Sequence, residues 1–443
     1  MQTGRKSGPP PSVTRQMTGL LGVIGFALAL YFLSNAGFDR VHATVIVMAA
    51  TALPMLLHEV VFLKAHRQEA AGLQGFTLRG TGPANWERIC IKLFGMWGTI
   101  AGLAFAYWLF PEYAREFYEP FWAFCHDYAL AFVFITTFYF WLIDRWQKEP
   151  EDEYYAAGRL FMGQRDKVSG EDIRRHFLNW IIKGFFIPLM FIYLSNSVQF
   201  LIREPVGSAF DSFPMFVRYI SRFTLGLDLA IAAVGYFLTI RLANAHIRSP
   251  NNLFWGWTVT LCVYAPFYGL IGKRYLDHKD GNGWLEMFAD NTGVWFYVWG
   301  VAIIISKLGW VWANVTFGIR FSNLTNRGIL TNGPFRWFRH PSYFFKNVSW
   351  WLLTVPFFST ESNEVALQNT LLMLSLNTIY LLRAKAEERH LSEDPTYVEY
   401  AMWVEKHGAM RGLRAIFPFL RYRRPDPQPD AETQKLYAPY RAV

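Results

Sequence analysis

The sequence predicts an all-α fold, a polytopic transmembrane helical bundle of about ten spans, and three observations carry that prediction. Of its 443 residues, 52% are hydrophobic and 18% aromatic while only 17% are charged, more apolar surface than one soluble core absorbs. The apolar residues fall in long runs close to the ~20 residues a helix needs to cross hydrocarbon. The runs do not alternate, which leaves helices rather than a barrel. The cations sit in short loops between the runs, so the formal net charge of +9 points to a membrane surface and not to nucleic acid.

In chain order, residues 1–16 form a polar, proline-containing tail with Arg5, Lys6 and Arg15. No small-residue cleavage site follows, so the run from Met17 reads as a retained first span. Spans are expected near 17–36, 41–63, 92–110, 121–143, 177–202, 220–240, 253–272 and 293–317, then a tighter hairpin with arms near 343–358 and 365–382. This divides the chain into the tail, an N-terminal bundle at 17–290, a C-terminal catalytic unit at 291–415 and a basic, proline-rich tail at 416–443.

Lysine and arginine set the orientation. The loops after spans two (Lys64, Arg67, Arg79, Arg88), four (Arg145 to Arg175), six (Arg241, Arg248) and eight (Arg320, Arg327, Arg336, Arg339) are basic and fall on one face. The opposite loops are acidic or mixed, with Lys273, Arg274 and Lys279 diluted by Asp277 and Asp280. Both termini are therefore expected in the cytoplasm, in an integral protein of a bacterial inner membrane. Cys90, Cys125 and Cys262 share no metal-binding spacing, and no metal is expected. The sequence sets no oligomeric state.

Two local signals mark helices outside the spans. Ser169-Gly170-Glu171-Asp172 reads as a capping box opening span five, after a charged loop whose Tyr154, Tyr155, Leu160, Phe161 and Met162 suit the membrane interface. Asp394-Pro395 opens a short amphipathic helix with Tyr397, Tyr400 and Val404 on one face and Gly408 as its C-cap. Within spans, His58 with Glu59, His126 with Asp127, Asn196 and Asp228 are expensive in lipid. They are functional candidates or interhelical glue.

Chemistry concentrates at 332–347, NGPFRWFRHPSYFFKN, where turn residues and Pro341 fix the direction of Arg336, Arg339, His340, Tyr343 and Lys346. A second cluster, Arg383, Glu387, Glu388, Arg389 and His390, closes the last span and returns to the same level. Arg383 and Glu387 also stand four apart, where they can simply staple the helix end.

The order Arg339-His340-Pro341-Ser342-Tyr343, apolar hairpin, Glu387-Glu388, then Tyr397 and Tyr400 resembles the isoprenylcysteine carboxyl methyltransferase family and its relatives, the phospholipid N-methyltransferases. The resemblance covers roughly 327–413. It implies that the "RHPxY" signature and the "EE" pair hold S-adenosylmethionine at the cytoplasmic face, with "Y..Y" following, and that the partner is a lipid or lipidated substrate. The family commonly has glycine after the motif tyrosine, where this chain has Phe344, Phe345 and Lys346. The first eight spans have no counterpart in its small members.

The cofactor's own chemistry agrees. Its carboxylate calls for Arg339 or Arg336, and its ammonium or ribose for Glu387 or Glu388. His340 and Tyr343 suit the amino-acid part or the adenine, and Arg383, Tyr397 and Tyr400 complete the binding set. Arg339 and Glu388 are the pair expected at the reacting centre. Two alternatives stand beside a methyltransferase: a sterol-reductase-like enzyme binding NADPH, which usually has an aspartate and a cysteine at the positions of Glu387-Glu388, and a non-enzymatic transporter or sensor.

Overall fold

The computed structural model describes residues 8–34, 36–74, 84–272, 283–288, 290 and 292–424. Arg5, Lys6, Arg79, the cluster from Lys273 to Asp280 and the proline-rich end from Pro425 lie outside the described residues. The chain runs through α1 (Gln16–Leu33), α2 (Arg40–Leu57, extended by a π turn at His58–Phe62), α3 (Trp86–Leu109), α4 (Glu119–Asp144) and α5 (Glu153–Phe161). It continues through α6 (Gly170–Arg203), α7 (Phe213–Phe237), α8 (Phe254–Leu261), α9 (Trp284–Met287) and α10 (Val294–Val315). The C-terminal unit adds α11 (Pro341–Thr354), α12 (Asn363–Leu391), α13 (Pro395–His407) and α14 (Arg411–Ile416).

The fold is the expected all-α bundle, with eight helices among the described residues long and apolar enough to cross a membrane: α1 to α4, α6, α7, α10 and α12. Two of the ten expected spans are shorter. The run at 253–272 is broken into the eight-residue α8 and, after a turn, a π-helical stretch at Tyr268–Gly272. The run at 343–358 holds the 14-residue α11, about 21 Å long against a ~30 Å hydrocarbon core. It stops because Pro356 disfavours helical backbone at the residue before it, and Val355 turns left-handed at φ 41°.

The core is built where α1, α2, α6 and α7 meet, around Phe26, Val47, Phe186, Leu194 and Ile231. The outward face of α4 exposes Leu130, Phe134, Ile135 and Phe138, a surface that suits lipid and not water. Ser169 is the N-cap of α6, accepting from the Glu171 amide at 3.2 Å, which is the serine half of the expected capping box.

The basic loops share one face. Leu73 bridges to Gln147, Asn244 Nδ2 donates to Gln68 Oε1 at 2.7 Å, and β1 (Ser249–Pro250) pairs antiparallel with β2 (Thr325–Asn326). The N-terminal segment joins them. Val13 N donates to the Ile329 carbonyl at 3.0 Å, Thr331 Oγ1 to the Pro10 carbonyl at 2.6 Å and Asn332 Nδ2 to the Thr14 carbonyl at 2.9 Å.

Candidate active site

The wall of the site begins with the loop after α10. Arg327 is buried and its guanidinium donates to the carbonyls of Ala245 (2.7 Å), Gly235 (2.8 Å), Leu238 (2.9 Å) and Phe321 (3.0 Å). It satisfies carbonyls at the end of α7 that have no helical partner. The approach is close: a Cβ on Gly235 would lie 2.3 Å from the Phe321 carbonyl oxygen. The cation expected only to set topology is therefore the fastener of the loop that carries Asn323 to Ile329 into the site.

Two more elements hold the motif. Pro341 opens α11 at its first turn, which places His340 and Tyr343 toward the last turns of α12. The amphipathic α13 forms below, with Asp394 accepting from the Thr396 amide at 2.9 Å. Its Tyr397, Tyr400 and Val404 bury against Phe335, Ile329 and Leu330. Tyr400 Oη donates to the carbonyls of Phe335 (2.8 Å) and Phe338 (3.2 Å), clamping the motif loop. Gly408 ends α13 with extended backbone, φ −74°, and not with the left-handed cap its residue type suggests. Glycine is needed there for space, since a Cβ would lie 2.7 Å from the Trp337 carbonyl oxygen.

These elements enclose a cavity of about 160 Å³. Of the expected residues, Arg339, His340, Tyr343, Arg383, Glu387, Tyr397 and Tyr400 line it, and Arg336 and Glu388 do not. Arg336 is exposed at the end of the turn Gly333–Arg336. The two glutamates separate. Glu387 accepts from the Tyr343 hydroxyl and lies 3.5 Å from His340 Nδ1. Glu388 takes Arg339 Nε at 2.7 Å and Lys385 Nζ at 2.8 Å, and lies 3.3 Å from His340 Nε2.

Arg339 is fully engaged by protein. Beyond Glu388 it donates to Glu405 and to the Leu420 carbonyl at 2.6 Å, tying the segment after α14 against the site. Burial opposes its charge, but Glu388 and Glu405 outweigh that and hold Arg339 above the ordinary arginine range. Burial likewise opposes a charge on His340, and the flanking Glu387 and Glu388 prevail, raising its pKa above the ordinary 6.5.

Arg383 differs. It is 2% exposed, sits among the rings of Tyr343, Tyr380 and Tyr264 at 5.1, 5.3 and 5.7 Å, and donates to Asn323 Oδ1 at 3.0 Å. No ion pair joins it to Glu387 among the described residues, so the two do not staple the helix. Among the described residues its Nε is buried without a partner, as are Arg320 Nη1, Asn251 Nδ2 and Tyr397 Oη, and all four residues line the cavity. Burial holds the Tyr397 phenol well above its ordinary pKa, so it is a donor. Unpartnered buried donors are costly unless a guest satisfies them.

Sequence reading missed Arg320, Asn251 and Asn323. Arg320 looked like an ordinary loop cation, yet its Nη2 pairs with the fully buried Glu59 of the π turn at 2.9 Å. Thr18 also donates to Glu59 at 2.9 Å. The ionisable pair His58-Glu59 in a span was the available signal. Isolated loop asparagines carry none.

Residues 296–393 match the model of the isoprenylcysteine carboxyl methyltransferase (ICMT) family, in the C-terminal part where the motif order predicted it. The match starts in α10 and ends just past α12, leaving Asn251, Asp228, Tyr397 and Tyr400 outside it. No curated protein and no solved structure matches the chain. The family match and the eight apolar helices support a membrane methyltransferase.

Proposed function

We propose that the protein is an integral membrane methyltransferase that uses S-adenosylmethionine on a lipid or lipid-like acceptor at the cytoplasmic membrane face. One observation carries this reading: buried donors without partners and the carboxylate of Glu387 share a single cavity under the family motif. That set complements a ligand bearing a carboxylate, an ammonium and hydroxyls. Arg383 is the cation for the carboxylate, Glu387 receives the ammonium, and Asn251 and Tyr397 suit hydroxyls or a base edge. The bound cofactor supplies a methyl group on a sulfonium, already activated, so holding the partners in line contributes most of the rate enhancement.

In this reading Arg339 and Glu388 are positioning residues. They lock His340 and the segment around Leu420 over the cavity mouth. The cytoplasmic assignment is supported by the shared face of the basic loops, the N-terminal segment and the cavity.

Calorimetry on the detergent-solubilised full chain tests the proposal. S-adenosylmethionine or its demethylated product binds with micromolar-scale affinity, and NADPH does not. Binding of NADPH alone would move the assignment to a reductase.

A further inference from the structure

The proposed cofactor residues leave two charged members of the cavity lining unused. They are Asp228 on α7 and Lys346 on α11, one turn beyond Tyr343. Asn314 Nδ2 donates to Asp228 Oδ1, and Oδ2 has no partner among the described residues. The Lys346 ammonium lies 5.1, 5.4 and 5.6 Å from the ring centroids of Trp310, Trp350 and Tyr380. Among the described residues it makes no hydrogen bond or ion pair, with Asp228 or any other carboxylate. A carboxylate and an ammonium held apart at this depth are costly unless a guest sits between them.

The charges select the guest. A carboxylate acceptor meets Asp228 as a like charge, and an amine acceptor, which arrives as its ammonium and must lose a proton before it can take a methyl group, meets Lys346 as one. A hydroxyl suits both, since it donates its hydrogen to a carboxylate and accepts from an ammonium. We propose that the space between Asp228 and Lys346 is the acceptor subsite and that the acceptor is a lipid hydroxyl, making the reaction an O-methylation. This rests on the cofactor reading above.

The balance is simple. The hydroxyl oxygen bonds to the methyl carbon as the carbon–sulfur bond breaks. The bonding pair leaves on sulfur, which becomes a neutral thioether, and the hydroxyl proton passes to Asp228 Oδ2 as general base. Lys346 offsets the negative charge that builds on the oxygen as its proton moves to Asp228. Asp228 lies outside the family match, and Lys346 stands in the stretch that departs from the family's glycine.

The test uses geranylgeraniol, geranylgeranoic acid and geranylgeranylamine, which share one tail and differ at the head, with the detergent-solubilised full chain. Native mass spectrometry without cofactor is expected to show the alcohol bound about tenfold or more tighter than the acid or the amine. Asp228→Asn should raise acid binding, and Lys346→Gln should raise amine binding. With isotope-labelled S-adenosylmethionine only the alcohol gains a methyl group; Asp228→Asn abolishes the transfer, Asp228→Glu restores part of it, and affinity for the demethylated cofactor is unchanged in both. Should Asp228→Asn not fold, Lys346→Gln and Asp228→Glu carry the test. Preferential binding or methylation of the acid or the amine, no preference among the three, or a preference indifferent to both residues overturns the proposal. Failure of the wild type to bind the demethylated cofactor overturns the cofactor reading instead.

Discussion

Glu387 and Glu388 are consecutive on α12, yet they serve opposite sides of one wall. Glu387 faces the cavity and accepts from Tyr343, while Glu388 turns away to hold Arg339 at 2.7 Å. Neighbours on a helix point about 100° apart, enough here to divide binding from support.

The two glutamine variants should therefore part company. Glu387→Gln is expected to weaken affinity for S-adenosylhomocysteine about tenfold, the value of a charge-assisted hydrogen bond, with a smaller loss of thermal midpoint than its neighbour's variant. Glu388→Gln removes one of the two carboxylates on Arg339 and the one on part-exposed Lys385 and should cost about 1.5–3 kcal/mol of stability. Calorimetry and thermal unfolding in detergent separate the two.

Arg383→Lys keeps the charge and loses the planar fork. Cofactor affinity should fall about tenfold or more, while Arg336→Gln, exposed and outside the cavity, leaves it unchanged. Equal losses in both variants would return Arg336 to the binding set.

Glu59→Gln reaches the site from the first hairpin. It removes the partner of buried Arg320, and breaking such a pair costs about 3–5 kcal/mol. Affinity should fall as well, because Arg320 lines the cavity. A variant as stable as wild type would mean that this ion pair contributes little.

His340 gives a pH dependence with a definite sign. Its pKa is raised by Glu387 and Glu388 above the ordinary 6.5, so the stability it contributes is complete below the unfolded value and is lost as pH rises through the folded one. The thermal midpoint of wild type should exceed that of His340→Gln most at mildly acidic pH, and the gap should close toward alkaline pH. A gap that widens instead contradicts a charged imidazole between the glutamates.

A topology reporter within the described part of the chain, placed in the loop 162–168, should report the cytoplasm. A signal from the opposite side would put the cavity out of reach of a soluble cofactor.

Much of this was legible in the residues. Apolar run length gave the fold class, and motif order brought residues 339–343 and 383–390 to one place. Asp394 and Ser169 marked helix starts because their side chains accept from the next amides whatever the surroundings. Helical phase was not legible: whether Glu387 or Glu388 faces the cavity depends on how α12 is rotated by its neighbours. The roles of Arg320 and Arg327 were hidden for a related reason, since a loop arginine looks the same whether it meets water or carbonyls brought from 80 residues away.

The ties between the N-terminal segment and the loop at 329–332 bear on how the protein is made. Ser12 and Thr331 are 319 positions apart, so Pro10 to Thr14 emerge from the ribosome long before their partners exist. At about 5–20 residues per second the wait is roughly 15–60 s. During that interval α1 and α2 are already being inserted beside a segment with no place to dock. The site's outer wall is thus a late product of synthesis, closed by residues made some 319 positions before it.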